Sequence, residues 1–316
     1  MKALVTGAAG FIGSHLSERL IAAGATVTGI DCFTDYYPRA RKEANLAGLR
    51  KAPGFTLVEA SLADADLPRL LDGTTHVFHL AAQAGVRKSW GRDFRVYTVN
   101  NVEATQILLE ACVQHPIERL VYASSSSVYG DEVTLPMHED ARPQPVSPYG
   151  VTKLSAEQLC HLYYVNYRVP AVSLRYFTVY GPRQRPDMGF HRFFKAVMAG
   201  TPIAQFGDGK QTRDFTFVAD AVTATATAAT RGTPGAVYNI GGGSRVELLD
   251  VFELIRRVTG RAVTVDRIDA QHGDMRDTYA DTTRARADLG FAPTVTLEQG
   301  LRAQFDWMKS AGLFEA

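Results

Sequence analysis

Three glycines stand between a short apolar run and the first helix-patterned stretch: Gly7, Gly10 and Gly13 in Thr6-Gly7-Ala8-Ala9-Gly10-Phe11-Ile12-Gly13. The run before them, Ala3-Leu4-Val5, reads as a buried strand, and Ser14 to Ala23 carries a helical pattern. A glycine turn joining strand to helix lets backbone N–H groups approach a pyrophosphate at the positive end of the helix dipole. Gly7, Gly10 and Gly13, with the Phe11 and Ile12 backbone between them, are therefore expected to hold a dinucleotide. The spacing is GxxGxxG rather than GxGxxG, and glycines in a turn carry little weight alone. The order strand, turn, helix supplies the rest.

That order continues along the chain. A second strand, Thr26 to Ile30, ends at Asp31, eighteen residues beyond Gly13. A carboxylate there accepts hydrogen bonds from ribose hydroxyls and repels a 2′-phosphate, which favours NAD over NADP. Arg39, Arg41 and Lys42 follow and read as a solvated basic helix face. Phe55–Val58, Thr75–Leu80, Leu120–Ala123 and Val172–Tyr176 read as further strands, with helical patterns over 67–71 and 101–112. Alternating strands and helices predict an α/β fold, a Rossmann-type doubly wound parallel sheet. Leu80, Ala81 and Ala82 end the fourth strand, where small side chains let backbone pass close to a flat ligand. His76 and His79, three apart in a strand, point to opposite faces and read as core or loop residues rather than metal ligands.

Composition narrows the class. The 316 residues include 34 basic and 33 acidic side chains, a balance that gives no support to nucleic-acid binding. Three widely spaced cysteines fit neither a disulfide framework nor a zinc site, and the reducing cytoplasm is the expected compartment. No apolar run approaches a membrane span, and no signal peptide is expected.

Chemistry enters where Leu120–Ala123 runs into Ser124-Ser125-Ser126-Ser127-Val128-Tyr129-Gly130. Buried hydroxyls need partners, so four serines at the end of a central strand mark a ligand site better than a core. Tyr149-Gly150-Val151-Thr152-Lys153 opens a helix after Ser147-Pro148. Four residues is about one helical turn, which puts the ammonium within reach of the phenol. A nearby cation favours the phenolate, so Tyr149 and Lys153 are expected to form a base that acts on a hydroxyl or carbonyl.

These stretches together resemble the extended short-chain dehydrogenase/reductases, and within them the NAD-dependent nucleotide-sugar epimerases and dehydratases. The resemblance also rests on His79-Leu80-Ala81-Ala82, Arg175-Tyr176-Phe177-Thr178-Val179-Tyr180-Gly181-Pro182 and Phe206-Gly207-Asp208-Gly209-Lys210-Gln211-Thr212-Arg213-Asp214-Phe215. It implies NAD as cofactor, a UDP-sugar as substrate, a homodimer, and Ser125 as the hydroxyl partner of Tyr149 and Lys153. It implies that Arg213 contacts the pyrophosphate, Phe206 lies by the uracil and Asp274 meets the uridine ribose, with Arg276 placed to assist. Many relatives carry an acidic residue at the adenine where this chain has Ser61-Leu62, so that contact is expected from the Leu62 backbone or from Asp64. Residues 1–175, with 214–241 returning to them, are expected to form the NAD-binding domain. Residues 176–213 and 242–316 are expected to form a smaller α/β domain that binds the UDP-sugar.

The reaction follows from what the chain lacks. Relatives that dehydrate carry an Asp-Glu pair after the catalytic hydroxyl residue, and those that decarboxylate carry a Glu two residues before the tyrosine of Val-Tyr-Gly. Ser126 and Ser127 occupy those places, so the resemblance implies C4′ epimerisation through a 4-keto sugar. Thr178, where the family usually has Asn, and the stretch Arg183-Gln184-Arg185-Pro186-Asp187-Met188 resemble epimerases that act on UDP-glucuronate. Arg185 with Thr178, Ser126 and Ser127 offers a guanidinium fork and hydroxyl donors for a C6 carboxylate. UDP-glucose and UDP-N-acetylglucosamine stand as alternative substrates. Decarboxylation and a non-catalytic NAD(H) sensor are further alternatives, the sensor disfavoured because Tyr149, Lys153 and Ser125 are all present.

Overall fold

The computed structural model describes residues 1–269 and 271–315. Lys2–Thr6 (β1), Thr26–Asp31 (β2), Phe55–Glu59 (β3), His76–His79 (β4), Arg119–Ser125 (β5) and Ala171–Tyr176 (β6) form one sheet with the Val237–Ile240 strand. All pairings in it are parallel. The order runs from Val237–Ile240 through β6, β5, β4, β1 and β2 to β3, the doubly wound arrangement expected. The chain reverses its direction of travel between β1 and β4, and a crevice opens at such a switch point. Thr6 pairs with Ile30 on one side and His79 on the other, so the ends of β1, β2 and β4 are level there.

Consecutive strand residues feed opposite layers, as the pleat requires. Val5, Phe78 and Val121 pack against Phe11, Leu16 and Leu20 of α1 (Phe11–Ala22) and against the Val218–Arg231 helix. Their neighbours Leu4, Val77 and Leu120 pack on the other side against Leu108 and Leu109 of the Ala104–Gln114 helix and Ala156 and Cys160 of the Pro148–Tyr167 helix. Residues 242–316 divide between two cores. Ala285, Leu289 and Phe291 join the main-sheet cluster, whereas Val251, Ile255, Leu301 and Met308 build a separate core with Tyr180, Phe190 and Phe194. The reason is that the Thr283–Leu289 helix turns its apolar side back onto the first layer. The helix expected over 101–112 starts earlier, at Phe94–Tyr97, and widens into a π turn over Thr98–Glu103 before Ala104. Exposed Val96 and Val99 interrupt the apolar period there and hide the start. Among the described residues no helix is long and apolar enough to cross a membrane, and no acidic, His or Cys cluster could hold a metal.

A buried polar network anchors the serine run. Arg175 donates from Nη2 to Glu157 Oε1 at 2.7 Å and from Nε to Oε2 at 3.1 Å. Ser124 Oγ donates to Glu157 Oε2 at 2.6 Å, and Arg175 Nη1 donates to the Glu139 carbonyl at 3.1 Å. β5, β6 and the Pro148–Tyr167 helix therefore meet at one ion pair whose side chains are 4% and 2% exposed. Removing one member of a buried pair strands the other charge. Arg175→Met is expected to destabilise the protein by about 3–5 kcal/mol, read as a lower urea midpoint at unchanged slope. A loss under about 1 kcal/mol would mean that Glu157 finds water or a proton at little cost.

Candidate active site

The crevice at the ends of β1 and β4 is a cleft of about 250 Å³. Gly7, Gly10, Phe11, Ile12, Gly13, Asp31, Leu62, Leu80, Ala81, Ala82, Tyr149 and Lys153 all line it. Two glycines show why a cradle forms. Gly7 has φ +71°, and a Cβ on Gly13 would stand 2.2 Å from the Gly7 carbonyl oxygen. The turn can fold this tightly only without side chains, which leaves the start of α1 open to an anion. Asp31 Oδ2 accepts from Ala9 N–H at 3.1 Å and Oδ1 from Phe33 N–H at 2.8 Å, fixing the carboxylate at the cleft edge. These features fit a dinucleotide. Leu62 lines the cleft, whereas Asp64 is turned to Ser61 Oγ at 2.6 Å outside it.

Of the basic residues after β2, Arg39 is exposed as expected, whereas Lys42 is not. Arg39 forks to Glu59 at 2.6 Å and bonds Glu43. Lys42 is buried and lies 3.5 Å from Asp31 Oδ1, drawn in by that carboxylate. A period of polar residues cannot reveal which of them has a partner on the next strand.

His79 has a defined structural task. Thr6 Oγ1 accepts from Leu80 N–H at 3.1 Å and Ala81 N–H at 3.0 Å, so its own proton goes to His79 Nδ1 at 2.8 Å. His79 Nε2–H then donates to Thr105 Oγ1 at 2.9 Å, which donates to the Asn101 carbonyl at 2.6 Å. Burial, reinforced by the Lys153 charge, holds the imidazole neutral with its pKa down at about 3. Asn101, at the π-widened turn, accepts from Gln83 N–H at 2.7 Å and donates to Thr152 Oγ1 at 2.9 Å. It ties the loop after β4 to the Tyr149 helix. Its place in a helical pattern gave no sign of this role, although a wide turn often marks a functional site.

Ser147 caps that helix, its Oγ accepting from Gly150 N–H at 3.1 Å. Tyr149 and Lys153 share the cleft, as one helical turn dictates. Their electrostatics depart from expectation. Burial pushes the Tyr149 phenol above its ordinary range, while the Ser125 hydroxyl and the Arg185 charge act against the rise. Burial also brings the Lys153 ammonium down to about 7, opposed by Cys160 and Glu157. Lys153 Nζ lies 4.4 Å from the Tyr122 ring centroid and makes no hydrogen bond among the described residues. A desolvated cation without a polar partner does not by itself turn a tyrosine into a base. Ser125 Oγ accepts from Ser127 N–H at 3.1 Å, which leaves its proton free to donate.

A second cavity of about 180 Å³ brings together Thr178, Phe206, Arg213 and Asp274. Arg87, which sequence reading passed over, completes it. Its guanidinium carbon stands 3.6 Å from the Phe206 ring centroid, and its fork bonds Asp274 at 3.1 and 2.6 Å. Arg213 donates to the Thr212 and Arg276 carbonyls, and Arg276 is turned away to Asp208 at 2.8 Å. Ser126 is buried at the end of β5 and Ser127 partly so, and neither lines either cavity.

Arg185 enters the first cleft, but not as a free fork. Its Nε and Nη2 both donate to Asp187, each at 3.0 Å. Tyr36 Oη donates to the same carboxylate at 3.2 Å. Burial alone would raise the Asp187 carboxyl, yet the Arg185 guanidinium outweighs it and holds the group below the usual range.

Comparison with known proteins follows the same lines. Residues 3–241 match the NAD dependent epimerase/dehydratase family. The chain is 45% identical to an uncharacterised UDP-glucose epimerase of Bacillus subtilis, YtcB, over 98% of both chains. It is 35% identical to a UDP-glucuronate 4-epimerase of Thermodesulfobacterium geofontis, covering 97% of this chain and 95% of that one. The crystal structure of a Bacillus cereus UDP-glucuronic acid 4-epimerase in complex with UDP-glucuronic acid and NAD superposes with a TM-score of 0.96 at 44% identity, covering 98% of this chain and all of the other.

The Lys153 environment sets a pH dependence. The unfolded chain holds a lysine proton up to its ordinary pKa of 10.5, whereas the folded group gives it up near 7. Between these values the unfolded state binds more protons, so stability rises with pH, by up to about 1.4 kcal/mol per unit. Below pH 7 the full cost of burying the charge is present. Urea unfolding of NAD-free protein from pH 7 to 10 is expected to show this rise relative to Lys153→Met. Parallel pH profiles for the two proteins would mean that Lys153 keeps an ordinary pKa.

Proposed function

The chain belongs to the NAD dependent epimerase/dehydratase family, and we propose that it inverts C4′ of UDP-glucuronate to give UDP-galacturonate. The observation that carries the substrate reading is a guanidinium, Arg185, in the same cleft as the Tyr149 phenol. A cation beside the group that works on O4′ suits a sugar charged at the neighbouring C6. The solved relative with UDP-glucuronic acid and NAD, similar over nearly its whole length, supports the same substrate.

In this reading Tyr149 Oη takes the proton from O4′ and later returns one, and the Ser125 hydroxyl steadies the oxygen between them. Lys153, on the same helix face, favours the phenolate when it carries its charge. Bound NAD would supply the hydride acceptor and donor for C4′, the return going to the opposite face of the same carbon. The glycine turn, Asp31 and Leu80–Ala82 hold the dinucleotide, while Arg213, Phe206 and Asp274 hold the UDP end. Because the 4-keto ring presents both faces in turn, it must rotate about its pyrophosphate while that end stays fixed. Arg185 meets the C6 carboxylate through the Nη1–Nη2 edge that Asp187 leaves open. A 4-keto uronate loses CO2 readily, and holding the carboxylate out of line with the carbonyl π system protects it.

UDP-glucose is the second reading. Asp187 neutralises Arg185, so the cleft does not repel a neutral sugar, and the similarity to YtcB points the same way. A homodimer is part of the proposal. Val151, Leu162 and Val165, each more than two-fifths exposed, form a stripe along the Pro148–Tyr167 helix that a second copy would cover. Light scattering should give about twice the 34.5 kDa chain mass, and a monomer at micromolar concentration would remove the dimer.

The test of function is to incubate purified protein with UDP-glucuronate and resolve epimer from pentose products. UDP-galacturonate should accumulate without added cofactor, with kcat/KM above that for UDP-glucose. Tyr149→Phe should lose about 10²–10⁴-fold while retaining NAD. Faster turnover of UDP-glucose would move the assignment to the neutral sugar.

A further inference from the structure

The Arg185–Asp187 pair is hard to reconcile with simple carboxylate recognition. A guanidinium fork binds a carboxylate through two parallel N–H bonds and thereby fixes both its position and its plane. In this protein the Nε–Nη2 edge that would do so is taken by a side chain two residues away. Asp187 is itself held from a third direction by Tyr36 Oη. Tyr36 comes from the loop after β2 and packs against Gly85, where a Cβ would stand 2.3 Å from the Tyr36 oxygen. The pairing therefore depends on the loop after β2, the loop after β4 and the Arg183–Met188 stretch. A surface arginine that merely found a neighbour would not be held in this way.

Taking up the uronate reading above, we propose that Asp187 is a positioning residue, an internal carboxylate that keeps the Arg185 fork engaged so that the 4-keto ring stays free to turn. Epimerisation asks for opposite things at C6. The carboxylate must be recognised, yet the ring that bears it must present both faces to one hydride site. A clamp carrying the full guanidinium charge would bind the ground state tightly and resist rotation. With that charge shared with Asp187, the Nη1–Nη2 edge left open recognises the carboxylate but holds it less firmly. Tyr36 keeps Asp187 in place while the sugar moves.

The inference requires Asp187→Asn, in NAD-loaded protein, to bind UDP-glucuronate more tightly but turn it over more slowly. KM should fall and kcat should drop at least about tenfold, the size of one charge-assisted hydrogen bond gained in the ground state. Reduced cofactor should build up in the steady state, seen by its near-ultraviolet absorbance, because rotation has become slow. UDP-glucose has no C6 carboxylate and should show neither the split nor the build-up. Tyr36→Phe, which removes one donor to Asp187 and keeps the ring, should show the same split more weakly and serves if Asp187→Asn does not fold. Calorimetric binding of UDP-glucuronate to Tyr149→Phe with and without Asp187→Asn reads the inference without turnover. Should the wild type fail to turn over UDP-glucuronate, the substrate reading falls while this binding arm still decides. Unchanged or weaker uronate affinity in the double variant, or equal effects on both sugars, overturns the role of Asp187.

Discussion

The Glu157–Arg175 ion pair holds the rest of the site in register. Its charges are buried, so neither side chain can leave without stranding the other. Through Ser124 the pair fixes the end of β5, and through Glu157 it fixes the helix that carries Tyr149 and Lys153. The serine run and the tyrosine come from segments more than twenty residues apart, yet this pair leaves little freedom between them. Arg175 also lies 4.6 Å from the Tyr129 ring centroid, and Tyr129 Oη donates to Asn239 Oδ1 at 2.7 Å, which extends the tie to the edge strand. Conformational looseness is thereby pushed outward, to the loops that meet the sugar.

The sheet was legible in the sequence because parallel strands buried on both faces read as short apolar runs between helical periods. The glycine turn was legible because a strand-to-helix bend this tight excludes side chains. Tyr149 and Lys153 were placed on one face by helical spacing alone. What spacing could not show is how a charge is spent. Arg39 and Lys42 read as a solvated face and Arg185 as a free fork, but their partners Glu59, Asp31 and Asp187 become visible only after folding. Asn101 and Arg87 were invisible for a related reason, since each acts through contacts to distant loops. The tyrosine's acidity was misjudged because burial, which raises it, is a property of the whole cleft rather than of the residue four positions on.

The basic stretch from Arg183 to Arg213 shows the same point. Arg183 is bound to Glu18 at 2.7 Å, Arg185 to Asp187, and Lys195 to the Leu313 carbonyl at 2.9 Å. Arg183 thus reaches across to α1, Arg185 and Lys195 are spent on partners nearer to them, and Arg213 faces the second cavity.

Lys153 carries a last consequence. A buried ammonium that makes no hydrogen bond among the described residues costs the empty protein stability. Any ligand that supplies the missing acceptor is selected by the folded state and shifts the folding balance by mass action. In a cell, chains that have not met their dinucleotide spend more time open to proteases than those that have. Bound dinucleotide is therefore expected to protect the fold as well as to take part in the reaction.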